Sequence, residues 1–219
     1  MNAFNKVNFR NIIAGFGDKN IDKPSLFVQL KNALNGKIPI MIELEQTHSS
    51  DAQIITPDSI NNYNSKADAF VTDMKRVALI IRTADCFPII MCDPINNIIA
   101  AIHSGREGTR KNIVKSTINA MISIGSETVN ISASVGPGIS TAHYQVDQFT
   151  WINFCSSTDI NQKFPFLNLR KVIIEQLKRS GVRKSKIEVH DLCTWENSNY
   201  FSFRRNNDKK RQYNWIMLK

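Results

Sequence analysis

The chain has 219 residues, 42% hydrophobic and 21% charged, a composition that excludes a disordered segment and suffices for a sizeable core in one domain over 1–219. Its 28 Lys and Arg against 19 Asp and Glu leave a net charge of +9, crowded late in the chain in "KRSGVRKSK" and "RRNNDKKRQ". Such a surface attracts phosphate in any form, but no aromatic-interleaved basic motif is present, so nucleic acid is not the expected partner.

The N-terminal "MNAFNKVNFRNIIAGFGDKN" lacks the apolar centre of a signal peptide. In "KIPIMIELEQTH", Ile38, Ile40, Ile42 and Leu44 fall on alternate positions, which predicts a strand; the same alternation carries Gln46 and His48 onto that face. "RVALIIRTADC", "FPIIMCDP" and "NNIIAAIHSG" are short apolar runs bounded by turn signals, as expected of strands covered on both faces. Their close succession predicts one sheet with hairpin-like connections. A helix follows over "TRKNIVKSTINAMISIG", striped by Val114, Ile118, Met121 and Ile122 and stopped at Gly125.

"VNISASVGPGIS" reads as a strand closed by a Gly-Pro-Gly turn, and "FLNLRKVIIEQLKRSG" as a helix with Leu169, Val172, Ile173 and Leu177 on one stripe, closed by Gly181. "KIEVHDLCTW" predicts a late strand, and "YFSFRRNNDKKRQYNWIML" two more around a polar turn. Strands and helices mix without regular alternation, so the expected class is α+β. Four scattered cysteines, Cys86, Cys92, Cys155 and Cys193, form no C-x-x-C pair, and no run reaches the ~18 apolar residues of a membrane span. A cytoplasmic protein with reduced thiols and no membrane partner is expected.

Three metal-capable side chains sit at or beyond the ends of predicted strands: His48, Cys86 and His103. Two imidazoles and a thiolate suit zinc, and three protein ligands leave a fourth position open, as in catalytic sites. Spacing alone favours the plainer reading of a satisfied polar histidine, a small core cysteine and a turn histidine. Five arginines, Arg82, Arg106, Arg204, Arg205 and Arg211, are candidates for binding an anion, since a guanidinium forks onto phosphate. Asp85 is a candidate to hold a ligand histidine or shuttle a proton, or else to fix its turn.

The motifs "QTHSSDA", "ADAFVTD", "TADCFPIIMCDP", "AAIHSGREGT", "SVGPGIS…YQVD" and "DLCT…YFSFRR" follow in the order that resembles the YfiH family, also called the laccase-domain or polyphenol oxidase family. The resemblance runs from about residue 38 to the end. It implies a YfiH-like layered α/β/β/α sandwich with mixed sheets and a metal site of His48, Cys86 and His103. It also implies a zinc-dependent purine nucleoside phosphorylase, converting adenosine, inosine, guanosine or methylthioadenosine to base and ribose-1-phosphate, with adenosine deaminase activity. Purine nucleoside and phosphate are then the partners; Asp85, Arg204 and Arg205 are catalytic candidates, and Gln46, Arg82, Arg106 and Arg211 substrate-binding ones. The chain is expected as a monomer or homodimer.

Older usage in the family speaks of copper and phenol oxidation. A copper centre of this kind wants a weak axial ligand such as Met91 or Met74, and a multicopper oxidase wants more than four histidines. A third reading is a nucleoside-binding protein without turnover, suggested by departures from the family. Its His-Ala-Gly-Trp-Arg-Gly motif is here His103-Ser104-Gly105-Arg106-Glu107-Gly108, exchanging an aromatic wall and a cation for an ion pair. Its Gly-Pro-Cys-Ile is Gly136-Pro137-Gly138-Ile139, and the cysteine before the next tyrosine is His143, an acid–base candidate or a loop residue. A late Gly-Arg is Lys210-Arg211, and His190 is expected to be structural.

Overall fold

The computed structural model describes residues 1–4 and 9–219, so residues 5–8 of the stretch read for a leader lie outside the described residues. The chain opens with strand β1 (Ile12–Phe16), helix α1 (Lys23–Ala33), and strands β2 (Ile40–Glu43), β3 (Ala52–Ile54) and β4 (Ala69–Thr72). Next come β5 (Val77–Thr83), β6 (Phe87–Asp93), β7 (Ile98–Ser104), α2 (Arg106–Arg110), α3 (Ile113–Ser123) and β8 (Ser132–Val135). Helices α4 (Gln148–Thr158) and α5 (Leu169–Arg179), strand β9 (Ile187–Val189), helix α6 (Phe203–Asn206) and strand β10 (Gln212–Leu218) complete it.

Two mixed sheets form, one ordered β1-β10-β5-β2 and the other β3-β4-β7-β6-β8-β9. Pairs β2–β5, β3–β4 and β8–β9 are parallel and the remaining pairs antiparallel. The period of two along each strand sorts its side chains between two apolar layers. On β6, Phe87, Ile89 and Met91 pack with α3, α4 and α5, while Ile90 and Cys92 join the layer between the sheets. On β5, Val77, Leu79 and Ile81 enter that same middle layer, whereas Ala78 and Ile80 meet Leu26 and Leu30 of α1. The result is an α/β/β/α sandwich, the expected architecture. Burial on both faces is why β5, β6 and β7 read as continuous apolar runs rather than alternating ones.

Several expectations need correction. Strands β6 and β7 do form a hairpin, but β5 belongs to the other sheet, so the chain crosses between sheets at Ala84–Cys86. Ile38 and Ile40 are 67% and 49% exposed, because β2 is an edge strand whose start lies outside the sandwich; only Ile42 and Leu44 reach the middle layer. The helix expected over 109–125 is interrupted at Asn112, whose left-handed backbone and side chain cap a new start at α3. The predicted strand "YFSF" ends in helix α6 instead: Ser202 accepts from the Arg205 N–H, and a cap of that kind outweighs the β propensity of two phenylalanines. Gly125 and Gly181 hold the positive φ expected of helix stops. Among the described residues no helix is long and apolar enough to cross a membrane.

Candidate metal centre

The middle layer ends in a polar cluster. Ile42 and Leu44 lead out of β2 into the loop bearing His48; Cys86 sits at the crossing from β5 to β6; His103 continues the Ile99–Ala101 row of β7. The ligand-capable atoms of these three residues all lie within 4.8 Å of one another. His48 Nε2 and Cys86 Sγ are 3.8 Å apart, close to the about 3.6 Å between two ligands of a tetrahedral zinc at ordinary bond lengths. The His48 and His103 rings meet edge to face at 4.8 Å. The three side chains expected to share a site are brought together.

The cluster is organised by a residue that sequence reading did not single out. Asp68 is fully buried at the start of β4 and accepts a hydrogen bond from His103 Nδ1 at 2.7 Å. It also receives the backbone N–H groups of Thr47, His48 and Ser49 at 3.2, 3.1 and 2.6 Å, together with both hydroxyls. One carboxylate therefore turns His103 so that Nε2 faces the cluster, and holds His48 at φ +60, a left-handed conformation that costs an ordinary side chain about 1 kcal/mol or more. The available signal was the "ADAFVTD" motif, in which an acidic residue precedes an apolar strand.

Electrostatics follow from this packing. Burial would raise the Asp68 carboxyl, but the hydrogen bonds from His103 and Ser49 hold it at about 2. Burial would likewise raise the Cys86 thiol, yet the charge of His103 and hydrogen bonds from both imidazoles bring it to about 6. His103 is lifted to about 9 against its own burial by Cys86 and Asp68. Each shift favours the charged form, a thiolate beside an imidazolium, and a divalent cation would replace the His103 proton. The donor set fits a metal ion.

Gly105 closes the cluster from below. A Cβ there would stand 2.8 Å from the His48 ring, shorter than real contacts, and 3.0 Å from Cys86 Sγ, at the tight end of them, although its φ of −82 is open to any residue. Gly105→Ala is expected to lower metal affinity by roughly 10-fold or more, because it displaces two ligands without straining the backbone. Competition with a chelator measures it, and unchanged affinity would show that the neighbouring ligands are not held in place.

A cavity of about 660 Å³ opens over the triad, walled by Glu45, Gln46, Arg82, Ala84, Asp85, Arg106, Glu107, Tyr144, Phe203, Arg204 and Arg211. Gln46 lies on this wall with its amide engaged, donating to the Arg82 carbonyl and accepting from the Arg82 N–H at 2.7 Å each. Arg82 approaches Glu43 at 3.5 Å, and Arg211 donates to the carbonyls of Asp208 and Lys210. Arg106 pairs with Glu107 at 3.2 Å. Arg204 donates to the Gln145 carbonyl and lies 5.1 Å over the Tyr144 ring.

Asp85 does not touch a ligand histidine. At φ +81 it accepts from the Thr194 hydroxyl and the Arg204 N–H at 2.7 Å each, fixing the sheet crossing and α6 to one another, while Asp68 takes the place beside the histidine. Arg205 stands outside the cavity wall and is the second departure: its guanidinium is consumed by the carbonyls of Thr194, Trp195, Asn197 and Tyr200. His143 stacks on Trp195 at 3.7 Å and pairs with Glu196, away from the triad. His190 is buried and donates to the Ala3 carbonyl. Met91 packs on the helix side and Met74 against the middle layer, neither on the cavity wall.

Fold and triad together define an α/β/β/α protein with a His-Cys-His group suited to a metal ion. Residues 8–219 match the family model described as multi-copper polyphenol oxidoreductase laccase, and the chain belongs to that family. Its backbone is similar to the crystal structure of the hypothetical protein YfiH from Bacillus licheniformis, with a TM-score of 0.80 at 25% identity over 95% of this chain and 93% of that one. A Neisseria meningitidis protein, NMB0706, aligns at a TM-score of 0.74 and 27% identity, over 88% of this chain and 79% of that one. Among curated relatives, a purine nucleoside phosphorylase of Corynebacterium glutamicum is 29% identical over 218 residues, 92% of this chain and 85% of the relative. One of Rickettsia prowazekii is 32% identical over 185 residues, 80% of this chain and 75% of the relative.

Proposed function

We propose that the chain is a zinc-dependent purine nucleoside phosphorylase with adenosine deaminase activity. The observation that carries this reading is a single cavity joining the metal-capable triad to four guanidinium groups, two of which, Arg204 and Arg211, donate to backbone carbonyls, and to the aromatic rings of Tyr144 and Phe203. The relatives named purine nucleoside phosphorylase supply the reaction class.

His48, Cys86 and His103 would hold the ion, with Asp68 fixing the first and third. A bound zinc supplies Lewis acidity to an oxygen in its open position. Phosphorolysis forms a bond from a phosphate oxygen to the anomeric carbon and breaks the bond to the purine, which leaves with the electron pair and takes up a proton. For the protein the main tasks are to neutralise phosphate and hold it in line, which guanidinium groups do. Tyr144 and Phe203 offer faces on which a purine can stack.

Zinc is favoured over copper by the side chains themselves. Both methionines close in sequence to the triad are packed in the cores, so neither offers the axial thioether of a copper–thiolate centre. The remaining histidines, His143 and His190, are engaged elsewhere and build no second centre.

Adenosine incubated with the purified protein should yield adenine and ribose-1-phosphate only when phosphate is present, and inosine by a phosphate-independent route, both resolved by chromatography. Inosine alone would leave a deaminase and remove the phosphorylase. Phenol oxidation with stoichiometric copper would overturn the whole reading.

A further inference from the structure

The cavity wall is not electrostatically uniform. Of its three carboxylates two are engaged, while Glu45 stands at the cavity edge: Asp85 holds Thr194 and the Arg204 N–H, and Glu107 gives one oxygen to Arg106 and the other to Arg110 at 2.9 Å. Arg110 is anchored in turn on Ser157 of α4. Arg106 is therefore braced through Nε alone, and its two terminal nitrogens have no partner among the described residues. Arg204 is braced through one terminal nitrogen on Gln145 and by its stacking on Tyr144. Its other two nitrogens are likewise open.

Tyr144 lies beneath Arg204 and lines the same cavity as Arg106. Its ring packs against the helix-side core, and its backbone N–H and carbonyl are fixed by Thr141 and Leu167. The hydroxyl has no hydrogen-bond partner among the described residues, although it lies within electrostatic reach of Cys86, Arg106, Arg204 and Asp85. Burial first, and the Cys86 charge second, push this phenol up to about 12, so at neutral pH it is a donor. Two open guanidinium forks and a neutral O–H around one space suit a tetrahedral oxyanion. Of the other two arginines of the cavity, Arg82 faces Glu43 and Arg211 already donates to two carbonyls.

We propose that Arg106, Arg204 and the Tyr144 hydroxyl form the subsite for inorganic phosphate, beside the metal triad. The assignment gives the Arg106-Glu107 pair a purpose: Glu107 is a positioning residue that aims Arg106, with Arg110 as its brace. It rests on the phosphorylase reading for the anion's role in turnover, and on geometry alone for its binding.

Inorganic phosphate titrated calorimetrically into the purified, metal-loaded protein tests the subsite. Binding should weaken about 10-fold in Tyr144→Phe, which keeps the ring beneath Arg204, and by at least as much in Arg106→Gln. Glu107→Gln, which releases Arg106 without removing it, should weaken phosphate by a smaller factor. In turnover, Tyr144→Phe should raise the KM for phosphate and leave that for nucleoside unchanged. Phosphate bound equally well by Tyr144→Phe, or no binding by the unsubstituted protein, overturns the proposal. So does a rise in nucleoside KM without one for phosphate, which would place the phenol against the purine nucleoside. Phosphate binding that depends on Tyr144 in a protein without phosphorolysis would uphold the subsite and sink the phosphorylase reading.

Discussion

Cys86→Ala protein is expected to retain about a tenth or less of the metal carried by the unsubstituted chain after dialysis. It should lose nucleoside turnover by more than the 10- to 100-fold that follows from disturbing an outer partner of a metal ligand. Removing the sulfur takes away the one anionic ligand and leaves two imidazoles from separate elements, which cannot offset a divalent charge. The Asp68–His103 hydrogen bond is untouched, so the fold should survive; with both proteins metal-free, an unfolding free energy within about 1 kcal/mol of the parent would establish that. Metal content by elemental analysis and base release by chromatography are the two readouts. Full turnover in this variant would sink the metal-site assignment.

Asp68→Asn should strike both stability and metal binding. In the folded chain the carboxyl titrates at about 2 against an ordinary 3.8, so its ionised form contributes about 2 kcal/mol at neutral pH. A depressed carboxyl stabilises above its unfolded value and loses that contribution as pH falls through the folded one. The stability gap between parent and variant, measured by urea unfolding of metal-free protein, should therefore be full above about pH 4 and close toward pH 2. Metal affinity should fall 10- to 100-fold, because an amide neither favours the His103 tautomer nor accepts three backbone N–H groups equally well. A gap that stayed constant down to pH 2 would mean that the stability does not come from this carboxylate's charge.

Much of the layered fold was legible where physical signals are strong and local. Strands β5, β6 and β7 announce themselves by full burial, and α3 and α5 by apolar stripes. Helix α1 has a weak stripe, and its local signal is instead the Asp22–Ser25 capping box with an early proline. Helix α4 mixes Phe149 and Ile152 on its exposed side with one buried phenylalanine, so periodicity had little to find. The sheet change between β5 and β6 was invisible, since three residues look the same whether they turn a hairpin or cross a sandwich. In the site, His48, Cys86 and His103 could be named from the ordered motifs; Asp68 stands in one of them with no sign of its role, and Tyr144 carries no signal of its own. Their importance lies in what folding sets beside them: an imidazole and three amides in one case, two guanidinium groups in the other.

The sheet crossing at Cys86 has a mechanical consequence. His48 leaves the four-stranded sheet, His103 belongs to the six-stranded one, and Cys86 lies on the strap between them. An ion held by all three acts as a rivet through the open end of the sandwich, where apolar packing between the sheets runs out. Its binding energy then adds to the cohesion of the two sheets, so the melting temperature should climb with free metal concentration. Local opening on metal removal should begin at this seam and leave the α3–α5 side closed, a gradient that amide hydrogen exchange resolves residue by residue.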